Sequence, residues 1–388
     1  MQDTIGYCTN VHAGADLAET KHNLDRYASA VRHRVRPDSD LPVGLWLAAP
    51  VARQLVDEER IDEFRQWLAE RHLRPYTLNG FPYGNFHQPV VKYDVYSPTW
   101  FESERSAYTY DLIKILAKLV PDQSFATIST LPIAWSATDQ ERLQAARALA
   151  DVAGELMRIE QETGQHIMIC LEPEPGCVMS TSQQAIEFFT QHLDAVADPV
   201  MVRRYLGVCH DICHTAVMFG DQAEDVAAYQ GHDIQIGKVQ VSSAVVVDGE
   251  GLDEKQRTSA FDQLRQFAED RYLHQTTCVA AGAQSNTTHT QHYADLPEAM
   301  EDRKRIQGEW RVHFHVPIFV KSFGLLGTSQ EDIPSCLSAV AELPYEPQLE
   351  VETYAWGVLP AELQRDDLVE GISEEITWID QVIAKNGW

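Results

Sequence analysis

The sequence alternates between short runs of β-forming residues and longer segments with the periodicity of amphipathic helices. Segment 16–34 illustrates the helical pattern, since Leu17, Leu24, Tyr27 and Val31 fall on one face. Nearly continuous apolar runs are typical of parallel strands that helices cover on both faces. The seven runs of this kind are Ile5–Thr9, Val43–Ala48, Pro75–Asn79, Phe125–Thr130, His166–Glu172, Leu206–Asp211 and Lys238–Ser242.

An eighth run would complete a closed barrel. This run is Leu349–Tyr354, and the helical pattern that follows it places Ile372, Ile376 and Ile379 on one face. Eight alternations of strand and helix are the pattern of a (β/α)8 barrel. We therefore predict an α/β fold of the TIM-barrel type, in which residues 1–388 form a single domain.

The stretch from 244 to 348 is too long for one connection between a strand and the next. It contains two further strand-like runs, Tyr272–Ala280 and Arg311–Phe319, and between them the polar segment Gln284–Gln291, which we predict to be a mobile loop. We interpret 244–348 as an insertion between strands seven and eight that could carry a hairpin. An open, doubly wound sheet is the alternative fold, although no glycine-rich phosphate-binding loop follows the first strand.

The charge balance restricts the partners of the chain. Its 388 residues include 31 Lys and Arg against 58 Asp and Glu, which gives a formal net charge of −27. Electrostatic repulsion argues against nucleic acids and anionic membrane surfaces as partners, and no segment approaches the roughly 20 apolar residues that span a bilayer. The first residues lack the basic start and apolar stretch of a secretory signal, so we expect a cytoplasmic protein with its seven cysteines reduced.

Three carboxylates follow predicted strands at the end where the functional side chains of a TIM barrel meet. Glu172 ends the fifth run, Asp211 ends the sixth, and Glu352 lies in the eighth. Buried carboxylates that converge repel one another unless cations neutralise them. Oxygen ligands favour Mn²⁺, Mg²⁺ or Co²⁺, and added imidazoles shift the preference toward Zn²⁺ or Fe²⁺. The alternative is that Arg or Lys side chains inside the barrel pair with Glu172 and Asp211.

Two strands carry motifs of a known superfamily. Residues 207–214, Gly-Val-Cys-His-Asp-Ile-Cys-His, resemble the Gly-Val-Cys-x-Asp-x-Cys-His motif of the endonuclease IV branch of the xylose isomerase-like barrels. Residues 171–173, Leu-Glu-Pro, resemble the metal-glutamate strand of the same superfamily, which includes sugar phosphate isomerases and epimerases. Within it, the chain is most similar to the EboE family of metabolite traffic proteins, through the runs Leu171–Gly176, Tyr272–Gln275, His313–Pro317 and Leu349–Tyr354.

The resemblance implies a role for each matching position. Glu172, Asp211 and Glu352 match the carboxylate ligands of a divalent metal, which would be Mn, Zn, Mg or Co. In sugar epimerases of this superfamily the two glutamates also move a proton on a carbon next to a carbonyl, so Glu172 and Glu352 are the implied catalytic residues. His214 matches a histidine-type ligand, and His315 matches the end of a later Asp-x-His pair that would complete the metal set.

One position departs from the superfamily pattern. Where the seventh strand usually supplies a metal histidine, the best match is Gln240, and a neutral amide is a weaker ligand than imidazole. The resemblance therefore leaves open a metal that is loosely held, one displaced toward His274 or His315, or no metal. The residues expected to contact substrate are Gln240, His274, His313, Asn79 and Glu174.

Several members of this set also have purely structural explanations. His214 could cap the helix after it, and the His-x-His pair at 313–315 could lie half in the core and half at the surface. Asn79 is followed by Phe81 and Tyr83, which would reach the mouth of the barrel, although aromatic side chains there more often pack beneath loops.

Nuclease chemistry does not fit the sequence. In the abasic-site enzymes that carry this motif, the third and fourth strands add two histidines, whereas here they end in Leu78-Asn79 and Ser129-Thr130-Leu131. Without these histidines and with an acidic chain, DNA repair is excluded as a function.

These observations predict a metal-dependent isomerase or epimerase for a small polyol, sugar or hydroxy-carbonyl metabolite. The EboE likeness adds an expected role in processing or exporting a precursor of a secondary metabolite. The alternative is a barrel that binds or carries a metabolite without turning it over. A small-molecule metabolite is the expected partner, and a homodimer is one expectation for the assembly, because barrels of this kind often pair through insertions.

Overall fold

The computed structural model describes residues 5–280, 290–302 and 307–387. Eight parallel strands close into a barrel in the order β1-β14-β7-β6-β5-β4-β3-β2, which confirms the predicted fold. The strands, in chain order, are β1 (Gly6–Cys8), β2 (Leu41–Trp46), β3 (Leu73–Asn79), β4 (Phe125–Thr130), β5 (His166–Leu171), β6 (Leu206–Asp211), β7 (Ile236–Val241), β8 (Val245–Asp248), β9 (Thr276–Val279), β10 (Thr290–Tyr293), β11 (Glu309–Val312), β12 (Ser322–Phe323), β13 (Leu326–Thr328) and β14 (Gln348–Val351).

Helices surround the barrel and bury their apolar faces against it. The helix predicted at 16–34 runs from Leu17 to Val35 and contains one π-helical turn at Leu24–Ala28. The longest helix starts at a capping box in which Thr138 and Glu141 satisfy each other's backbone N–H groups. The helices are α1 (Leu17–Asn23), α2 (Ser29–Val35), α3 (Ala49–Asp57), α4 (Ile61–Ala69), α5 (Ser103–Leu119), α6 (Asp139–Thr163), α7 (Ser182–Phe188), α8 (Pro199–Tyr205), α9 (Ile212–Val217), α10 (Gln222–Gly231), α11 (Glu254–Leu264), α12 (Leu296–Ala299), α13 (Asp332–Ala341) and α14 (Leu368–Asn386).

Six of the eight barrel strands differ from the predicted runs by one to three residues at one or both ends, and β7 and β14 illustrate the differences. β7 begins at Ile236, two residues before the predicted start, because its first residues alternate in polarity and read as loop in the sequence. β14 ends at Val351, whereas the predicted run continued to Tyr354, and residues 354–358 form a 3₁₀ turn. Glu172 and Glu352 therefore stand directly after their strands, where the backbone opens into the mouth of the barrel.

Residues between β7 and β14 form a second sheet instead of a single hairpin. Its order is β10-β9-β11-β8-β13-β12, and all pairings are antiparallel. The run predicted at Arg311–Phe319 leaves this sheet after Val312, because the His313 N–H donates to the Gln275 carbonyl and the Val316 N–H to the Ser243 carbonyl. The run predicted from Tyr272 is a strand only at Thr276–Val279. Of the predicted mobile loop, residues 284–289 lie outside the described part of the chain, and the prediction is wrong for Thr290 and Gln291, which begin β10 and pair with β9.

The interior of the barrel is polar one layer below its mouth. Lys238 Nζ lies 2.6 Å from Glu350 Oε2, both side chains are 0% exposed, and Nζ also donates to Ser129 Oγ at 3.4 Å. Gly44 faces this ion pair, and a Cβ atom at that position would overlap the Glu350 carboxylate. All seven cysteines are buried and none forms a disulfide. Among the described residues, no helix combines the length and apolar character needed to span a bilayer.

Candidate functional site

Three carboxylates from distant parts of the chain meet at the mouth of the barrel. Glu172 follows β5, Asp211 ends β6 and Glu352 follows β14, and one carboxylate oxygen of each lies within 4.8 Å of those of the other two. All three side chains are buried. Within the described ranges, no Lys or Arg forms an ion pair with any of them, so the basic partners considered as an alternative are not found.

The hydrogen bonds of these carboxylates leave specific oxygen atoms free. Asp211 Oδ1 accepts from the His214 backbone N–H at 2.9 Å and from Ser242 Oγ at 2.8 Å, whereas Asp211 Oδ2 has no partner. Glu172 Oε2 is buried without a partner as well. A buried carboxylate oxygen without a donor is costly. Two such oxygens from different strands at one point fit a bound cation, which would satisfy both.

Two asparagines hold the third carboxylate. Asn10 Nδ2 donates to Glu352 Oε1 at 2.7 Å, and Asn79 Nδ2 donates to the same oxygen at 3.2 Å. Asn79 Oδ1 in turn accepts from Ser129 Oγ at 3.2 Å. Asn10 Oδ1 has no partner. Glu352 is thus fixed through one oxygen, and a free acceptor stands beside it.

Burial and mutual repulsion make two of the three carboxylates weak acids. Burial, followed by the charges of Glu352 and Asp211, raises the pKa of Glu172 well above its usual value. The pKa of Glu352 is raised to about 8, again mainly by burial and then by the Asp211 and Glu350 charges. Burial also acts against the ionised form of Asp211, but nearby His214 and His315 and the hydrogen bonds from His214 N and Ser242 outweigh it, so that its pKa is lowered. The site therefore pairs one carboxylate whose pKa is lowered, Asp211, with two whose pKa is raised, Glu172 and Glu352.

Three histidines form a second cluster against the carboxylates, and each uses Nδ1 in the same way. His214 Nδ1 lies 2.8 Å from the Pro173 carbonyl, and His315 Nδ1 lies 2.9 Å from the Glu352 carbonyl. His313 Nδ1 lies 2.8 Å from Gln275 Oε1. Since these partners are oxygen acceptors, we assign the proton of each neutral ring to Nδ1, which leaves a lone pair on Nε2.

The three Nε2 atoms point toward the interior of the site. His214 Nε2 and His313 Nε2 are only 3.1 Å apart, and His315 Nε2 has no hydrogen-bond partner. Asp211 Oδ2 lies 3.9 Å from His214 Nε2 and 3.8 Å from His315 Nε2. Two lone pairs at 3.1 Å repel unless a proton or a cation lies between them. Imidazoles that donate from Nδ1 to an oxygen and present Nε2 inward have the geometry of metal ligands.

Glu174 joins the histidines to the cavity wall. Its Oε1 accepts from Tyr96 OH at 2.6 Å and from Gln275 Nε2 at 3.0 Å, and its Oε2 lies 3.9 Å from His214 Nε2. Glu174, His214 and His313 also have ligand atoms within 4.8 Å of one another. The cluster thus offers nitrogen ligands beside the oxygen ligands of the three carboxylates.

Gln240 and His274 have different positions relative to this site. Gln240 pairs with Asp211 in the register of β6 and β7, is fully buried, and has no partner for either amide atom. It stands two residues after Lys238 on the same strand face, so its side chain enters the barrel beside the carboxylates. His274 is not part of the cluster, because its Nε2 lies 2.9 Å from Glu269 Oε1 and its Nδ1 lies 3.1 Å from the His313 carbonyl. A metal displaced toward His274 is therefore not supported.

Sequence reasoning missed three residues that orient the site. Asn10 stands two residues beyond the last residue of β1, so the search for polar residues at strand ends could have found it. Tyr96 lies in a 3₁₀ turn between β3 and α5, and Gln275 precedes β9 in the insertion. No local pattern connects these two positions to Glu174.

The carboxylates and histidines form the floor of a cavity at the barrel mouth. The cavity encloses about 520 Å³ when the space at its opening is counted. Of the predicted site residues, the lining includes Asn79, Glu172, Glu174, His214, His313, His315 and Glu352.

Comparison with known proteins identifies the family. The model of the xylose isomerase-like TIM barrel family matches residues 42–381, so the chain belongs to this family. No curated protein sequence matches the chain.

Solved structures with a similar fold have low sequence identity to the chain. They include a D-allulose 3-epimerase from Methylomonas sp. in complex with D-allulose, which is 14% identical with a TM-score of 0.47 over 97% of this chain and 96% of that one. The IolI protein with a bound zinc atom is 14% identical, with a TM-score of 0.48 over 98% of both chains. A D-tagatose 3-epimerase-like protein is 12% identical, with a TM-score of 0.47 over 99% of both. All three TM-scores are below 0.5, so neither the fold nor the function is argued from these structures.

Proposed function

We propose that this protein is a metal-dependent isomerase or epimerase that moves a proton on a carbon next to a carbonyl in a small hydroxy-carbonyl metabolite. The observation that carries the proposal is the convergence of Glu172, Asp211 and Glu352 at the barrel mouth, with two buried oxygens that lack donors. Membership of the xylose isomerase-like family supports it.

The residues fit a divalent cation, Mn, Zn, Mg or Co. Glu172, Asp211 and Glu352 would hold it, with His214 and His315 as the adjoining nitrogen ligands. When bound, a divalent cation polarises a carbonyl or hydroxyl oxygen of the substrate. Asp211 suits the role of permanent anionic ligand, because its pKa is lowered and its Oδ1 is fixed by two donors.

Glu172 and Glu352 would exchange the proton with the substrate carbon. One carboxylate removes the proton from the carbon next to the carbonyl, and the other carboxylic acid returns a proton to complete the inversion or the shift of the carbonyl. Asn10 and Asn79 would keep Glu352 in one orientation during the exchange.

A second candidate is a barrel that binds or carries a metabolite without turning it over. Gln240 favours it, because an amide stands where the family pattern has a histidine ligand. The sequence likeness to the EboE family supports a role in processing or export of a secondary-metabolite precursor, and that role is compatible with either candidate. A cytoplasmic location and a homodimeric assembly complete the proposal.

Metal titration separates the two candidates. We would titrate Mn²⁺ and Zn²⁺ into the chelator-stripped protein by isothermal calorimetry and compare Asp211→Asn with Asp111→Asn, a buried carboxylate that pairs with Arg53 outside the site. Asn caps helices as well as Asp, so Asp211→Asn keeps the start of α9 while it removes the ligand charge. We expect stoichiometric binding that Asp211→Asn abolishes and Asp111→Asn keeps. A protein that binds neither metal would refute the isomerase and favour the carrier.

A further inference from the structure

The carboxylates and histidines of the cavity gather at its floor. The free acceptors there are Glu172 Oε2, Asn10 Oδ1 and His315 Nε2, with Asp211 Oδ2 just behind them. They occupy the floor, around the three carboxylates. A substrate can therefore place a carbonyl, through the cation, and adjacent hydroxyls against the floor.

The walls above the floor are aromatic and aliphatic. Phe86 contacts the rings of Tyr272 and Tyr354, with centroid distances of 4.9 and 5.5 Å, and Phe81 contacts Tyr96 at 6.0 Å. The side chains that form these walls include Phe81, Phe86, Tyr96, Tyr272, Leu273 and Tyr354.

The hydroxyls of two wall tyrosines, Tyr96 and Tyr272, are already engaged within the protein, whereas among the described residues the Tyr354 hydroxyl has no hydrogen-bond partner. Tyr96 OH donates to Glu174 Oε1 and accepts from Gln275 Nε2 at 2.8 Å, and Tyr272 OH donates to the Phe86 carbonyl at 3.1 Å. These tyrosines present rings, not hydroxyls, to a ligand. A sugar hydroxyl placed against them would lose its hydrogen bonds to water without gaining new ones, which is unfavourable.

The cavity also lacks a cation for a phosphate group. Among the described residues that line it, Lys92 is the single Lys or Arg, and its ammonium is bound to Asp295 at 2.7 Å and to the Glu269 carbonyl at 3.2 Å. The floor is acidic and the chain carries a net charge of −27. A phosphate carried on the part of the substrate that faces the walls would therefore find no free cationic partner there.

We propose that the substrate is an uncharged hydroxy ketone, or the corresponding vicinal diol, whose polar head meets the floor and whose ring or branched hydrocarbon part lies against Phe81, Phe86 and Tyr272. This proposal rests on the proposed function for the head group. It replaces the broad class of sugars and polyols with a molecule that is polar at one end.

Three small hydroxy ketones test this proposal directly. They share the head group and differ in the rest: hydroxyacetone carries a methyl group, 2-hydroxyacetophenone a phenyl ring and dihydroxyacetone phosphate a phosphate. We would measure their binding to the Mn²⁺-loaded protein by calorimetry. Because burial of a ring removes a large apolar surface from water, we expect 2-hydroxyacetophenone to bind roughly 10- to 100-fold more tightly than hydroxyacetone. We expect the phosphate to bind most weakly.

Equal binding of the methyl and phenyl compounds, or tightest binding of the phosphate, would overturn the proposal. Acetophenone, which lacks the hydroxyl, serves as a further ligand. Its binding distinguishes a failure of the apolar-substrate proposal from a failure of the proposed function. If acetophenone binds as tightly as 2-hydroxyacetophenone, with or without Mn²⁺, the head-group chemistry fails while the apolar walls stand. If hydroxyacetone binds only with Mn²⁺ and the phenyl ring adds nothing, the proposed function stands and the apolar substrate is refuted.

A substitution in the cavity wall tests whether the preference for a phenyl group depends on Phe86. Phe86→Leu keeps an apolar side chain and removes the ring, and we expect it to lose most of the preference for phenyl over methyl. Phe323→Leu is the matched control, since Phe323 lies on β12 and packs against Phe267 away from the cavity. Should Phe86→Leu fail to fold, the ligand series on the unaltered protein still decides the proposal. An unchanged phenyl preference in a folded Phe86→Leu protein would contradict it.

Discussion

Asp211 uses its two carboxylate oxygens for different purposes. Oδ1 caps α9 by accepting from the His214 N–H and is held by Ser242, while Oδ2 stays free toward Glu172 and His315. Capping fixes the direction of the free oxygen, so a common helix start also orients a metal ligand. The same fragment brings His214 into place, because it lies three residues further along.

Gln240 is the weakest member of the ligand set. We therefore predict that replacing it with histidine raises the affinity of the site for metal. Gln240→His places an imidazole beside Asp211 on the barrel interior, and imidazole binds transition metals better than an amide. We expect Zn²⁺ affinity to rise by at least about tenfold, a change of about 1.4 kcal/mol. Calorimetric titration with Zn²⁺ measures the change. Affinity that stays the same or falls in a folded variant would show that Gln240 is not near the cation.

The raised pKa of Glu352 predicts how pH acts on the protein without metal. The folded protein retains a proton on Glu352 up to about pH 8, whereas the unfolded chain releases it near 4.5. Stability therefore falls as pH rises through this window, because the folded state must give up protons that the unfolded state has already lost. Burial raises the pKa of Glu172 in the same direction.

Metal should reverse this trend, because a cation competes with the protons of Glu172 and Glu352. We expect the rise in melting temperature on adding Mn²⁺ to be small at pH 5 and to grow toward pH 8. Differential scanning calorimetry across this range, with Asp211→Asn as the control without metal binding, measures it. A Mn²⁺ effect independent of pH would contradict the assignment of these glutamates as ligands.

At the scale of elements, the helix α14 forms hydrogen bonds with the segments that carry Glu352 and His315. Glu375 on α14 is buried, and its Oε1 accepts from Thr353 Oγ1 at 2.5 Å and from the Ile318 N–H at 3.2 Å, while Oε2 accepts from Trp356 Nε1 at 3.1 Å. One side chain therefore ties the residue after Glu352 to the segment that follows His315. The outer helix thereby stabilises the positions of two ligands.

Removal of this link should be costly in stability. Glu375→Ala leaves three buried donors without an acceptor, and we expect the free energy of unfolding to fall by about 3 kcal/mol or more. Urea denaturation measures it, with Glu374→Ala as the control, since Glu374 is more exposed and pairs with Arg365. A loss below about 1 kcal/mol, no larger than the control, would show that these hydrogen bonds contribute little.

The sequence predicted the barrel strands well because each strand is a compact apolar run. β4 and β6 match the predicted runs at both ends, and the polar residues that close the runs are those that meet at the mouth. The second sheet was reduced to a hairpin, and of the strands that the prediction missed, β12 has two residues and β13 three. Strands that short depend on their neighbours and carry no clear pattern of their own.

Only part of the site was predicted from the sequence, because some of its residues meet only through tertiary contacts. Ligands at strand ends follow from the geometry of the barrel, whereas Tyr96 and Gln275 reach Glu174 only through the tertiary packing of a loop and the insertion. His274 matched a motif but turns toward Glu269, because its backbone N–H donates to Asp295 and its ring packs on Phe314. Sequence spacing does not determine that orientation.

At the scale of the whole molecule, one ion pair neutralises the centre of the barrel. Lys238 and Glu350 are fully buried, and the pKa of Lys238 is raised because the nearby Glu350 charge outweighs the opposing effect of burial. Gly44 makes room for the Glu350 carboxylate on the neighbouring strand.

Loss of one partner of this pair should be worse than loss of both. Lys238→Met leaves Glu350 charged or protonated without its partner, and we expect the free energy of unfolding to fall by about 3–5 kcal/mol. The double variant Lys238→Met with Glu350→Gln should recover part of that loss, because no unpaired buried charge remains. Urea denaturation of the single and double variants gives the comparison. Additive losses would show that the two side chains do not interact.

The account as a whole depends on a cation at the mouth of the barrel. The most direct test is anomalous X-ray diffraction from crystals of the protein soaked in Zn²⁺. We expect one strong anomalous peak about 2.0–2.2 Å from oxygen atoms of Glu172, Asp211 and Glu352, the usual distance for carboxylate ligands of zinc. A mouth without a peak, in crystals where zinc binds only to acidic groups on the surface, would contradict the account.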